Sequence, residues 1–311
     1  MLKQQILSAD AIFNIIDFLI EKDFKNIFVN FCYVDDDELP SITVGGTGGC
    51  VNEGDFDQIL LNPNISKRES LEYYPFINAC FNLAKKFSIS CKLGKDFYSI
   101  AYENISSMNP YLDYKKIKTK DLQILSPNED YILIRFNSLE TINLTNEFVL
   151  KDIRKPHVPF FNLMNIVKNN TAIKYYKLIK EDLNFYISTK NTSNLLLSPL
   201  QNLLEANSPF QEDDPQCQEL EMREKSFANL NVKVKPFLIS HESNSEQEHN
   251  KTNHGIYFIH NNKIIYFDDW TLTTIKKRKI FAKDPNKLIR IRVLLEGDVS
   301  FNDNFSINPI T

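Results

Sequence analysis

Glycine is scarce in this chain, 8 of 311 residues, yet four of the eight fall at Gly45, Gly46, Gly48 and Gly49. Such a run at the end of a strand lets backbone approach a ligand, because no Cβ stands in the way. Upstream, Asn14 and Asp17 lie one turn apart on a helical stretch and so share a face. That pair reads either as a polar pocket or as a satisfied buried Asn beside a helix-end Asp, and both readings stay open. Other chemistries find no spacing to support them. The five cysteines, Cys32, Cys50, Cys80, Cys91 and Cys217, are odd in number and contain no C-x-x-C pair. They read as buried thiols rather than a disulfide framework or a zinc site. None of the five histidines forms an H-E-x-x-H, so no metal is expected. Neither G-x-S-x-G nor the P-loop pattern G-x-x-x-x-G-K-[ST] occurs.

The frame for these residues is set by composition. At 36.2 kDa the chain suits two packed domains, and 42% hydrophobic with 24% charged residues excludes wholesale disorder. A net charge of −4 and a pI near 5.8 give no global attraction to nucleic acid or anionic lipid. No stretch approaches the roughly 18 apolar residues of a membrane span, and the N-terminus lacks a signal-peptide pattern. A cytoplasmic protein without membrane contact is expected.

Residues 11–21 read as a buried helix capped by Ser8 or Asp10. Residues 26–34 alternate like a half-buried strand, and residues 41–44 form a second strand that the glycine run closes. Residues 70–86 return to helical spacing, and 87–92 with 97–102 read as a hairpin. This order is an α+β layer sandwich rather than a doubly wound sheet. A boundary is placed near 120–130, after which strands are expected at 131–136, 185–188, 231–239 and 288–295. Asn261-Asn262 joins strands 255–260 and 263–267, since asparagine tolerates the positive φ of a tight hairpin turn. Residues 208–224 and 240–253 read as solvated, mobile loops, with the acids Glu212, Asp213 and Asp214 serving solubility.

The segment 254–265, His-Gly-Ile-Tyr-Phe-Ile-His-Asn-Asn-Lys-Ile-Ile, and the later Trp270 resemble a hairpin of microrchidia-type GHKL (Bergerat-fold) ATPases. Residues 288–293 and 299–307 fit the strands that follow there, and Leu196–Leu200 and Lys233–Pro236 take plausible places upstream. The superfamily includes gyrase B, MutL and heat-shock chaperones. The resemblance implies a Bergerat-type α/β sandwich over 1–125 and a transducer-like (ribosomal S5-like) α+β domain over 126–311.

The residues on which the family's chemistry rests are changed. Along the ATP-binding helix the family's general-base Glu falls on Asn14, its Mg²⁺-ligating Asn falls on Phe18, and only Asp17 keeps its type. An amide is no base, and phenylalanine offers a hard cation no oxygen. The D-x-G-x-G motif matches 42–50 with its glycines kept and its Asp replaced by Val44 or Gly45. The glycine-rich lid falls on 72–79, which contains neither glycine nor lysine. The resemblance therefore implies a chain with no catalytic residue and no cofactor, acting as an interaction or regulatory subunit. A protein partner or a second copy would bind it through loops 206–226 and 240–254. The alternative is an ATPase with ATP and Mg²⁺ in an altered pocket of Asp17, Gly45, Gly46, Thr47, Gly48 and Gly49, in a DNA-associated or defence complex. DNA contact would fall to Lys276, Lys277, Arg278 and Lys279, a run that otherwise reads as a solvated loop.

Overall fold

The computed structural model describes residues 7–33, 40–49, 75–84, 86–94, 96–103, 129–137, 139, 143–145, 148–149, 157–190, 203–240, 255–269, 287–297, 299–301 and 307–309. In chain order the first elements are α1 (Ser8–Glu21), β1 (Asn26–Cys32), β2 (Ser41–Thr47), α2 (Pro75–Leu83), β3 (Lys86–Leu93) and β4 (Asp96–Glu103). They continue with β5 (Tyr131–Phe136), β6 (Asn143–Thr145), β7 (Phe148–Val149), α3 (His157–Lys174), α4 (Tyr176–Glu181) and β8 (Asn184–Lys190). The remainder is β9 (Gln218–Glu219), β10 (Arg223–Phe227), β11 (Leu230–Ser240), β12 (Gly255–His260), β13 (Lys263–Asp269), β14 (Lys287–Gly297), β15 (Val299–Phe301) and β16 (Ile307–Pro309). The chain is α+β.

Two compact units result: Met1–Lys168 with Asp182–Leu204, and Asn169–Glu181 with Glu205–Thr311. The boundary expected at 125 is corrected by strand pairing. β5 lies inside the first sheet, between β3 and β2, and β8 closes the same sheet beside β1. The order is β4-β3-β5-β2-β1-β8, antiparallel throughout except for the β1–β8 pair. No doubly wound parallel sheet is present among the described residues.

The helix of the first unit begins without the cap expected of it. Leu7 stands at the N-cap position with no side-chain cap bond, and Ser8 is the first helical residue, buried. β1 is buried at every position after Asn26, not half-buried, and ends at Cys32. Its polar residues are enclosed by hydrogen bonds, Ser188 donating to Asn30 and Asn26 Nδ2 donating to Thr47 Oγ1 at 3.2 Å. The β3–β4 hairpin forms as expected, turning at Gly94 with φ +58°. α3 and α4 were not expected. Phe160, Leu163, Val167 and Thr171 are buried at helical spacing, but the asparagines between them dilute the pattern.

The second unit is a sheet of order β10-β11-β14-β12-β13, with β9 also on β11. Here the hairpin turn holds both Asn261 (φ 49°) and Asn262 (φ 61°) in the left-handed region, as its sequence requires. Residues 208–224 are not simply a solvated loop. Phe210 is 0% exposed and packs among Tyr176, Phe237 and Tyr257, edge-on to Tyr257 at 5.2 Å. Arg290, fully buried, donates to the Pro209 carbonyl, and Arg292 pairs with Glu212 while lying over the rings of Phe210 and Phe237. Asp213 pairs with Lys180. Glu212 thus ties this segment to the sheet and Asp213 ties it to α4. Residues 241–254, 276–279, 196–200 and Trp270 lie outside the described residues.

Truncating a fully buried aromatic costs about 3–5 kcal/mol. Phe210→Ala should lower unfolding free energy by that amount in denaturant titration of the full chain. A loss below about 1 kcal/mol would return the segment to a solvated loop.

Candidate functional site

Asn14, Asp17 and Phe18 come together on α1, all three half-buried, while Ile12, Ile15, Ile16 and Leu19 fill the core. The i, i+3, i+4 spacing places them on one face. What covers part of that face is α2. Phe18 stacks on Phe76 with ring centroids 4.1 Å apart and planes at 23°. Lys22 Nζ lies 5.9 Å from the centre of the Phe18 ring. Phe76 belongs to the segment matched to the glycine-rich lid, whose residues 75–79 are helical here. Residues 72–74 lie outside the described set. The contact was not anticipated from the sequence, although an aromatic at position 18 and another at 76 were its signal.

The glycine run is split between strand and turn. Gly45, Gly46 and Thr47 continue β2, which was expected to end at Val44, and all three are buried. Gly48 turns the chain with φ +75°. A Cβ on Gly45 would stand 2.5 Å from the Phe28 ring and 2.7 Å from the Ile132 carbonyl oxygen. On Gly46 it would meet the Phe24 ring at 2.9 Å, and on Gly49 the Phe24 backbone at 2.6 Å. The close approach that these glycines permit is to the protein's own chain. Phe24 and Phe28 are the residues that sequence reasoning passed over. Tyr131, on the neighbouring strand, packs with Phe28 and Leu133, and burial pushes its phenol up from the ordinary value of 10.0.

No protein-family model matches the chain, and no curated protein matches it. Among solved structures it is similar to the N-terminal domain of a DNA repair protein, at 12% identity and a TM-score of 0.48, over 93% of this chain and 84% of that one. It is also similar to the B subunit of DNA gyrase from Myxococcus xanthus, at 8% identity and 0.45, over 94% and 81%. A third is the ATP-binding domain of topoisomerase IV from Francisella tularensis, at 11% identity and 0.41, over 94% and 78%. At such identities no residue role carries over from them.

Among the described residues no cluster of three or more His, Cys, Asp or Glu could hold a metal ion, and no helix is long and apolar enough to cross a membrane. Cys32, Cys80 and Cys91 are buried free thiols, Cys217 is half-buried, and Cys50 lies outside the described residues. Burial pushes the Cys80 thiol well above its ordinary value of 9.0 and the Cys91 thiol up to about 12, the latter helped by Asp130. Both therefore stay protonated in the native chain where unfolded thiols ionise.

Between pH 9 and about 12 the native state then binds more protons than the unfolded state, so stability falls as pH rises. Denaturation midpoints should hold from about pH 7 to pH 9 and decline above that, and a flat profile through the alkaline range would contradict this. Gly45→Ala and Gly49→Ala should each cost about 1–3 kcal/mol with no ligand present, because backbone atoms block the new methyl. Urea titration of each variant without nucleotide measures this, and neutral substitutions would return the run to a ligand role.

Proposed function

We propose that this chain is a GHKL-like protein whose nucleotide site has become packing, and that it works as an interaction or regulatory subunit. The observation that carries this is the Phe18–Phe76 stack. The motif requires a metal-ligating oxygen at position 18. An aromatic ring sits there instead, and its partner comes from the segment matched to the lid. Such a pair contributes about 0.5–1.5 kcal/mol beyond its buried area. A nucleotide entering between α1 and α2 would forfeit that contact and gain no metal bridge in return.

Two further features support the reading. Asn14 stands at the general-base position, and an amide has no lone pair basic enough to accept a proton from water. The open sides of Gly45, Gly46 and Gly49 are filled by Phe28, Leu133 and Phe24. Without hydrolysis, a two-domain chain of this kind acts through what it binds. A protein partner fits this better than DNA. The one sequence feature for DNA is the basic run Lys276, Lys277, Arg278 and Lys279 in an overall acidic chain.

The second reading, an ATP-binding ATPase with an altered pocket, draws on Asp17, which is half-buried on the same face as Asn14. Isothermal titration of the full chain with Mg²⁺ and a non-hydrolysable ATP analogue separates the two. We expect no saturable heat. Micromolar binding at one site per chain would overturn the proposal in favour of the altered pocket.

A further inference from the structure

Strand register sorts the side chains of the second unit onto two faces. One face carries Phe237, Ile239, Tyr257 and Ile259, covered by Tyr176 and Phe210. The opposite face carries Val232, Val234, Ile291, Val293, Leu295 and Phe258, paired across β11, β14 and β12. Along β11 and β14 these apolar residues alternate with Lys233, Lys235, Arg290 and Arg292, which lie on the first face, so that stretch of the second face is the apolar one. On the second face only Val293 and Leu295, at its middle, are buried, and the others are half-exposed. Phe227 on β10 and Tyr266 on β13 stand at its two edges, 47% and 39% exposed.

Charge gives this face a direction. On β10, Arg223, Lys225 and Phe227 pair with Val234, Val232 and Leu230 and so share the second face, all of them exposed. Glu224 and Ser226 turn to the other face, where Asn231 Nδ2 donates to the Glu224 carboxylate at 2.6 Å. The edge thus aims both of its cations across the apolar surface and its one acid away from it. The span from Val232 to Leu238 is about 20 Å and five strands are about 19 Å wide, at about 3.3 Å per residue and about 4.8 Å per strand. That area receives one helix about 10 Å across and about four turns long.

We propose that this second face is the docking surface for an amphipathic helix with acidic flanks, presented by a protein partner. The proposal rests on the interaction-subunit reading and gives the partner its chemistry. The apolar stripe of such a helix covers the valines and isoleucines, and its carboxylates meet Arg223 and Lys225. A nucleic acid would set phosphates over the apolar centre, where no cation pairs with them. A second copy would bring the same two exposed cations, Arg223 and Lys225, to the contact.

The test uses the full chain and two labelled helical peptides of about 18 residues, with leucines at i, i+3, i+4 and i+7. One is flanked by glutamates and the other by lysines, and binding is read by fluorescence anisotropy. We expect saturable binding of the glutamate peptide and at least tenfold weaker binding of the lysine peptide. The double variant Arg223→Glu, Lys225→Glu should weaken the glutamate peptide at least tenfold and reverse the preference. Because both positions are exposed, that variant folds, which circular dichroism verifies. Phe227→Ser should weaken both peptides. Binding of neither peptide, equal binding of both, or indifference to the double variant overturns the proposal. The titration with the ATP analogue is independent, so failure of the peptide with no nucleotide heat sinks only the docking surface.

Discussion

The first unit depends on a backbone-to-backbone contact between the end of α1 and the end of β2. Asp23 adopts φ 60° just past the helix, and the Phe24 amide donates back to the Leu19 carbonyl at 3.1 Å. This left-handed stop turns Phe24 inward, against the glycine run, as helix C-caps of this kind do. With any side chain at Gly49 the Phe24 backbone could not lie there, since the added atom would stand at 2.6 Å. Two residues later β1 begins, and Asn26 pairs with Thr47 to start the β1–β2 register. The helix cap, the glycines and the strand register are thus one interlocked feature, and β5 and β8 extend the sheet from it.

That register explains a pattern of burial that alternation by itself misstates. Along β1, Val29 and Phe31 face one side with Val44 and Ile42 beside them, while Phe28 and Asn30 face the other. A half-buried strand would leave Asn30 in water. Here it is 2% exposed and satisfied by Ser188, which the parallel β8 brings alongside. Buried polar groups are tolerated when their hydrogen bonds are made within the protein. The second unit solves a harder case of the same kind. Arg290 is fully buried, and desolvation lowers its pKa, yet its guanidinium donates to the Pro209 carbonyl.

The proposed loss of nucleotide chemistry fits this economy of packing. At Asn14 and Phe18 the groups that would carry a proton or a metal are replaced, and in the glycine run the groups that would touch a ligand touch Phe24 and Phe28. Phe18 stacks on Phe76, and the glycines lie against Phe24 and Phe28. The units keep their architecture because sheets and helix caps do not depend on the ligand.

Local signals in the sequence determined the α1 pattern, the β3–β4 hairpin and the Asn261-Asn262 turn, because each depends on residues a few positions apart. Atom type also sets what Asn14 and Phe18 can offer, an amide being no base and a phenyl ring no oxygen ligand. The tertiary structure alone decided where the units divide. β5 and β8 enter the first sheet by pairing with strands far away in the chain, and no local pattern encodes such a partner. It decided that Phe210 is core although its neighbours are acids and prolines, because arginines from β14 pair with those neighbours. It decided what the glycines lie against. A glycine run states only that something comes close, and only the fold supplies Phe24 and Phe28 as the neighbours.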